Sequence, residues 1–218
     1  MANWETQRDE NKETIAEFNR VWHETIDGTW HTTRWLGVKV LKTPCDLMVY
    51  QELITKIRPS LIIETGTCFG GSALFMATVC QSIGAGIVLS IDIKKPRRPV
   101  KHGRIIFHTA NSLAPATVEF VKRRVQRYPG PVMVILDSDH RKRHVSRELE
   151  LYSPFVTKGS YLIVEDTNIN RAVRKDHGPG PGDAVDDFLA TTDRFVVDPE
   201  CEKYFLTFNP GGYLQCVR

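Results

Sequence analysis

Between Leu61 and Asp166, short apolar runs alternate with longer stretches whose apolar positions recur every three or four residues. The runs LIIE (61–64), GIVLSID (86–92), RIIFHT (104–109), VMVILD (132–137) and YLIVED (161–166) are nearly continuous in their apolar character. Such runs read as strands buried on both faces, not as strands with one wet face. The stretches 71–83, 115–127 and 144–156 carry helical spacing. This succession of strands and helices predicts an α/β fold with a parallel sheet covered on both faces and joined by right-handed crossovers.

The flanks are less regular. Residues 8–26 read as a polar, partly amphipathic helix, 29–47 as irregular, and 50–58 as a short helix stopped by Pro59. Beyond Asp166, the Gly-, Pro- and charge-rich stretch 167–183 reads as a mobile loop. A helix at 184–190, β-like runs at 194–198 and 204–208, and an NPGG turn at 209–212 lead to the terminal YLQCV. The expected organisation is an N-terminal helical and irregular extension, 1–58, packed on a domain spanning 59–218.

Composition adds limits. The 218 residues, 41% hydrophobic and 25% charged, suit one globular domain with an extension. A formal charge of +3 is too small an excess to imply nucleic acid. Basic residues do gather at 94–104 and at 141–144, as solvated loops or as an attraction for an acidic substrate. Five cysteines without C-x-x-C spacing argue against a disulfide framework and suggest a reducing compartment. There is no long apolar span and no apolar leader, so the expectation is a cytoplasmic chain without a membrane partner.

The chemistry concentrates where strands end, which is where ligands bind in open α/β sheets. ETGTCFGGS follows the first strand of the rhythm, and its Gly66, Gly70 and Gly71 permit close backbone approach before a helix N-terminus. A phosphate-binding loop would need a lysine where Ser72 stands, and a dinucleotide fingerprint would need glycine where Cys68 stands. A carboxylate at Glu64, just before the turn, instead suits a cationic donor such as S-adenosylmethionine. Asp92 ends the next strand, where a carboxylate accepts both ribose hydroxyls of an adenosine. Asn111 and Ser112 follow the third strand, where an adenine edge would be read. Thr67 and Asp137 complete the expected donor set.

A second group is acidic. Asp137 and Asp139 end the fourth strand, and Glu165 and Asp166 end the fifth. Neighbouring strands lie about 4.8 Å apart, so these carboxylates would converge and repel unless a hard cation, Mg²⁺ or Mn²⁺, joined them. Surface pairing with 141–144 is the plainer alternative. His140 and His144 lack a third zinc ligand.

Taken in order, IIETGTCFGGSALFMA, SIDI, LDSDH, ELELYSPFV and GSYLIVEDTN resemble the cephalosporin hydroxylase and rhamnosyl O-methyltransferase family. KTPCDLMVYQELI and LTFNPGGYL are similar to it as well, so the likeness spans roughly residues 29–217. The resemblance implies a class I S-adenosylmethionine-dependent methyltransferase. Its fold is Rossmann-like and doubly wound, with a mostly parallel seven-stranded sheet and an N-terminal helical extension. The resemblance also implies a metal site and a homo-oligomer. The implied metal ligands are Asp139, Glu165 and Asp166. The implied donor site is Glu64, Gly66, the Gly70–Ser72 turn and Asp92. Asp139, His140, Arg141 and Lys142 further resemble the Asp-His-x-Lys run of Mg²⁺-dependent catechol-type O-methyltransferases, which makes Lys142 the expected base, with His140 and His144 as alternatives.

The expected activity is methyl transfer to a hydroxyl of a small molecule, such as a sugar or an antibiotic. Rival readings are a natural-product hydroxylase, a nicotinamide oxidoreductase, a metal-dependent hydrolase and a binding module without catalysis. Segments 29–47 and 167–183 are expected to shape the acceptor pocket, with Trp30, His31 and Trp35 as aromatic candidates.

Overall fold

The computed structural model describes residues 3–24, 29–96 and 100–218. The last two positions of the helix expected over 8–26, and residues 97–99 of the basic run, lie outside the described residues.

All five expected strands form: β3 (Leu61–Thr65), β4 (Ile87–Asp92), β5 (Ile105–Thr109), β6 (Val132–Leu136) and β7 (Tyr161–Val164). They pair in parallel in the order β5-β4-β3-β6-β7. Two C-terminal strands, β8 (Phe195–Val197) and β9 (Tyr213–Cys216), complete a seven-stranded sheet. β9 lies between β7 and β8, antiparallel to both. The chain runs outward from β3 to β5 and then returns to place β6 on the other side of β3. That reversal opens a crevice beyond the carboxyl ends of β3 and β6.

Alternation along the strands divides the core. Ile62, Val88, Met133, Ile135 and Ile163 face a layer made by α4 (Pro44–Ile57) and α5 (Gly71–Ser82). Leu61, Ile63, Leu89, Val134 and Val164 face α6 (Pro115–Arg127), α7 (Lys142–Tyr152) and α8 (Pro181–Leu189). Successive side chains point to opposite faces, so Glu64 shares the α4/α5 face with Ile62.

Several expectations shift. The N-terminal helix is two pieces, α1 (Trp4–Glu10) and α2 (Lys12–Glu24), broken at Asn11. The stretch expected to be irregular contains a short helix, α3 (Thr29–Thr32), and a small hairpin of β1 (Arg34–Trp35) and β2 (Val38–Lys39). Helix α4 starts at Pro44, six residues before the expected start: Thr43 caps it, accepting from the Asp46 N–H at 2.9 Å, and proline fits the first turn. The 204–208 run is not a strand, for Phe205 takes φ +64° and the backbone turns. Within 167–183, residues 167–173 form a compact turn with Ile169 and Val173 buried, and the final three residues belong to α8. No disulfide joins any two of the five cysteines. No helix among the described residues is long and apolar enough to cross a membrane.

Candidate functional site

The crevice at the β3/β6 reversal is a cavity of about 440 Å³. Its wall includes Gly66, Thr67, Gly71, Ser72 and Asp92 from the ends of β3 and β4, and Asp137, Ser138, His140 and Asp166 from the ends of β6 and β7. Lys39 and Lys42 reach it from the hairpin side, and His23, Trp30, Ile169 and Arg174 also line it. A smaller cavity of about 130 Å³ holds Asn111, Ser112, Asp139 and His144, and shares Gly66, Asp92 and Ser138 with the larger one.

The glycine-rich turn is built by close approach. A side chain at Gly66 would lie 1.8 Å from the Asp137 carbonyl oxygen, and one at Gly71 would lie 2.1 Å from that of Lys39. Gly70 is the N-cap of α5. Asp92 Oδ2 accepts the N–H groups of Thr67 and Cys68 at 2.9 and 3.0 Å, and its Oδ1 accepts the Lys94 N–H at 2.9 Å. One carboxylate therefore organises the turn and faces the cavity, with lone pairs left for hydroxyl donors.

Glu64 sits behind this turn, fully buried and off the cavity wall. It accepts from the Ser72 hydroxyl and, at 2.6 Å, from the Ser90 hydroxyl. Register explains the second contact, since Ser90 is its direct partner on β4. Burial pushes the Glu64 carboxyl up to about 7, opposed by the Lys42 ammonium and the two serine hydroxyls. Glu64 thus reaches the cavity through Ser72 and not directly.

The acidic tips divide into two groups. Asp137, His140 and Asp166 each bring a donor atom within 4.8 Å of the others. The His140 Nε2 lies 3.4 Å from Asp166 Oδ2. Burial raises the Asp166 carboxyl, while His140 counters it and Asp137 and Glu165 add to it. A divalent cation relieves that kind of crowding, and the two carboxylates are donors that Mg²⁺ or Mn²⁺ accepts. The residues fit a cation.

Asp139 does not join this group. It turns to the smaller cavity, accepting the Arg141 N–H at 2.9 Å, because the chain bends at Ser138 before α7 begins. Glu165 is buried and already engaged by Lys42 Nζ at 2.6 Å and by the Tyr50 hydroxyl. Lys142 is outside both cavities: its ammonium pairs with Asp187 of α8 at 2.7 Å. The hydrogen bond to Asp187 raises its pKa, the reverse of what a base requires. His144 sits with Ser138 at 3.0 Å and Glu148 at 3.5 Å beside the smaller cavity, away from the acidic centre. The imidazole that shares the acidic centre is His140.

Lys42, Tyr50 and Ser90 are contributors that sequence reasoning does not find. The Thr43-Pro44 cap is legible as a helix start, and it fixes the residue before it against the strand ends. Nothing in VLKTP announces that Lys42 meets two acids 95 and 123 positions away. Trp35, an aromatic candidate, packs edge-on against Phe75 in the core layer, whereas Trp30 lines the cavity.

Comparison with known proteins bears on the same span. The family model described as Rhamnosyl O-methyltransferase/CmcI matches residues 27–217. A rhamnosyl O-methyltransferase of Mycobacterium leprae (strain TN) is 40% identical over 211 residues, covering 93% of this chain and 90% of that protein. A rhamnosyl O-methyltransferase of Mycobacterium bovis is 34% identical over 212 residues, covering 93% and 85%. Among solved structures, CmcI described with Mg and SAM superposes with a TM-score of 0.66 at 20% identity, over 86% of this chain and 78% of that one. The O-methyltransferase TomG from Streptomyces achromogenes, described in complex with SAM, gives 0.53 at 15% identity, over 94% and 90%. These two structural likenesses carry the fold.

Proposed function

Because the chain belongs to the rhamnosyl O-methyltransferase/CmcI family, we propose that it moves the methyl group of S-adenosylmethionine to a sugar hydroxyl at a centre that holds Mg²⁺ or Mn²⁺. The observation that carries this reading is the sharing of one cavity. The glycine-rich turn with Asp92 and the Asp137–His140–Asp166 group line the same wall.

The roles follow from position. Asp92 accepts the ribose hydroxyls, and Asn111 and Ser112 in the adjoining cavity face the base. Thr67, Ser72 and the first N–H groups of α5 hold the amino-acid end of the donor, whose carboxylate suits a helix N-terminus. Glu64 orients Ser72 from behind the turn.

Asp137 and Asp166 would hold the cation, which would supply the Lewis acidity that makes a sugar hydroxyl easier to deprotonate. His140 takes the proton, its ring set by the Asp166 carboxylate. Trp30, His23 and Arg174 form the acceptor side. An indole offers an apolar face to sugar C–H groups, and a guanidinium donates to hydroxyls.

Transfer of a labelled methyl from S-adenosylmethionine to rhamnosides tests this reading. We expect product with Mg²⁺ or Mn²⁺ and none after chelation. Full turnover in a chelator, or turnover only on non-sugar phenols, overturns the cation or the acceptor assignment respectively.

A further inference from the structure

The side chain these roles leave unexplained is Lys42. Its side chain is 2% exposed, and its Nζ lies 2.9 Å from Asp137 Oδ2 and 2.6 Å from Glu165 Oε1. The Tyr50 ring lies 5.7 Å away, and the field of Glu64 also reaches it. Two carboxylates within hydrogen-bond distance hold the ammonium at the acidic centre. It uses Asp137, one of the two carboxylates assigned to the cation. An ammonium and a divalent ion sharing one carboxylate repel each other, and that repulsion is strong where water is scarce.

We propose that Lys42 is an internal counter-ion that competes with the divalent cation for Asp137, and so sets how tightly the cation is held. The inference rests on the assignment of Asp137 to the cation. Without a cation, Lys42 neutralises Glu165 and Asp137 and keeps the strand ends together. With one, the ammonium lowers its affinity. Lys42 acts through these carboxylates and is a positioning residue.

The test compares the wild-type chain with Lys42→Met, Lys42→Gln and Asp137→Asn. Mn²⁺ binding is read by electron paramagnetic resonance, and unfolding is followed without donor. Both Lys42 variants should bind Mn²⁺ at least about tenfold more tightly. Their metal-free Tm should fall, and Mn²⁺ should raise it by more than in the wild type. A merely structural lysine would lower Tm without tightening the ion. Gln keeps a hydrogen-bond donor and fills the site if Met leaves the chain unfolded. In the wild type, saturating Mg²⁺ should move the Lys42 Nζ resonance in NMR, a measurement that needs no variant. Unchanged or weaker Mn²⁺ binding in a folded Lys42 variant, or an Nζ resonance that Mg²⁺ leaves unmoved, overturns the competition alone. A wild type that does not bind Mn²⁺, or an Asp137→Asn chain that binds it equally well, overturns the cation assignment itself.

Discussion

His140 and Lys142 stand two positions apart in sequence, but α7 separates their fates. His140 precedes the helix and lines the cavity, while Lys142 begins the helix and pairs with Asp187. Removing His140 should lower kcat by about a hundredfold or more, the scale of general-base catalysis, with Mn²⁺ affinity largely kept. Lys142→Ala should leave kcat within about threefold, as expected for an exposed pair worth little. Steady-state kinetics on both variants checks this, and the reverse ranking would return the base to Lys142. Glu64 gives a pH signature. Its carboxyl is raised from 4.5 to about 7 in the fold. A raised acid favours folding while protonated, so this contribution is present below pH 4.5 and is lost as pH rises towards 7. The loss is on the order of 3 kcal/mol. The ligand-free Tm of Glu64→Gln should therefore fall less between pH 5 and 8 than that of the wild type. Equal slopes would mean that the carboxyl titrates normally.

At the scale of elements, the strand ends were legible and the connections were not. Each of β3 to β7 declares itself by a continuous apolar run, so Glu64, Asp92, Asp137 and Asp166 were placed near strand tips by pattern alone. Which way each tip turns depends on the next few backbone angles. Asp166 takes φ +56°, and Asp139 follows a bend that carries it to the smaller cavity. No period in the sequence encodes either, so the pattern does not show that Asp137 and Asp166 line one cavity and Asp139 the other. Helix α4 was located but begun late, because Thr43 and Pro44 are cap residues without apolar periodicity. Thr43→Ala should cost about 1 kcal/mol or more, since Thr43 also donates to Asp46 at 2.8 Å. Chemical denaturation measures it, and a change below a few tenths would show that the cap is idle. The cap also aims Lys42, so this variant should in addition alter Mn²⁺ affinity.

For the whole molecule, the deciding feature is the reversal of strand order at β3 and β6. It brings the glycine-rich turn beside Asp137: the Asp137 N–H donates to the Thr65 carbonyl at 2.9 Å, and Gly66 leaves no room for a side chain against the Asp137 backbone. Gly66→Ala should therefore disturb both halves of the site together, weakening S-adenosylhomocysteine and Mn²⁺ alike in calorimetry. Loss of one without the other would mean that the halves are independent. The sheet brackets the site, but its acceptor side is closed by parts outside the rhythm. Trp30, His23 and Arg174 come from the N-terminal segment and the turn after β7. Arg174 lies more than 140 positions from His23 and Trp30 along the chain, a pairing that local patterns do not carry.

The most direct measurement is anomalous scattering from Mn²⁺ in a crystal grown with S-adenosylhomocysteine. One strong peak is expected in the larger cavity, between Asp137 and Asp166 and beside His140, and it should disappear in Asp137→Asn. A peak at Asp139 in the smaller cavity, or none in the crevice while the donor product is bound, would contradict the cation assignment.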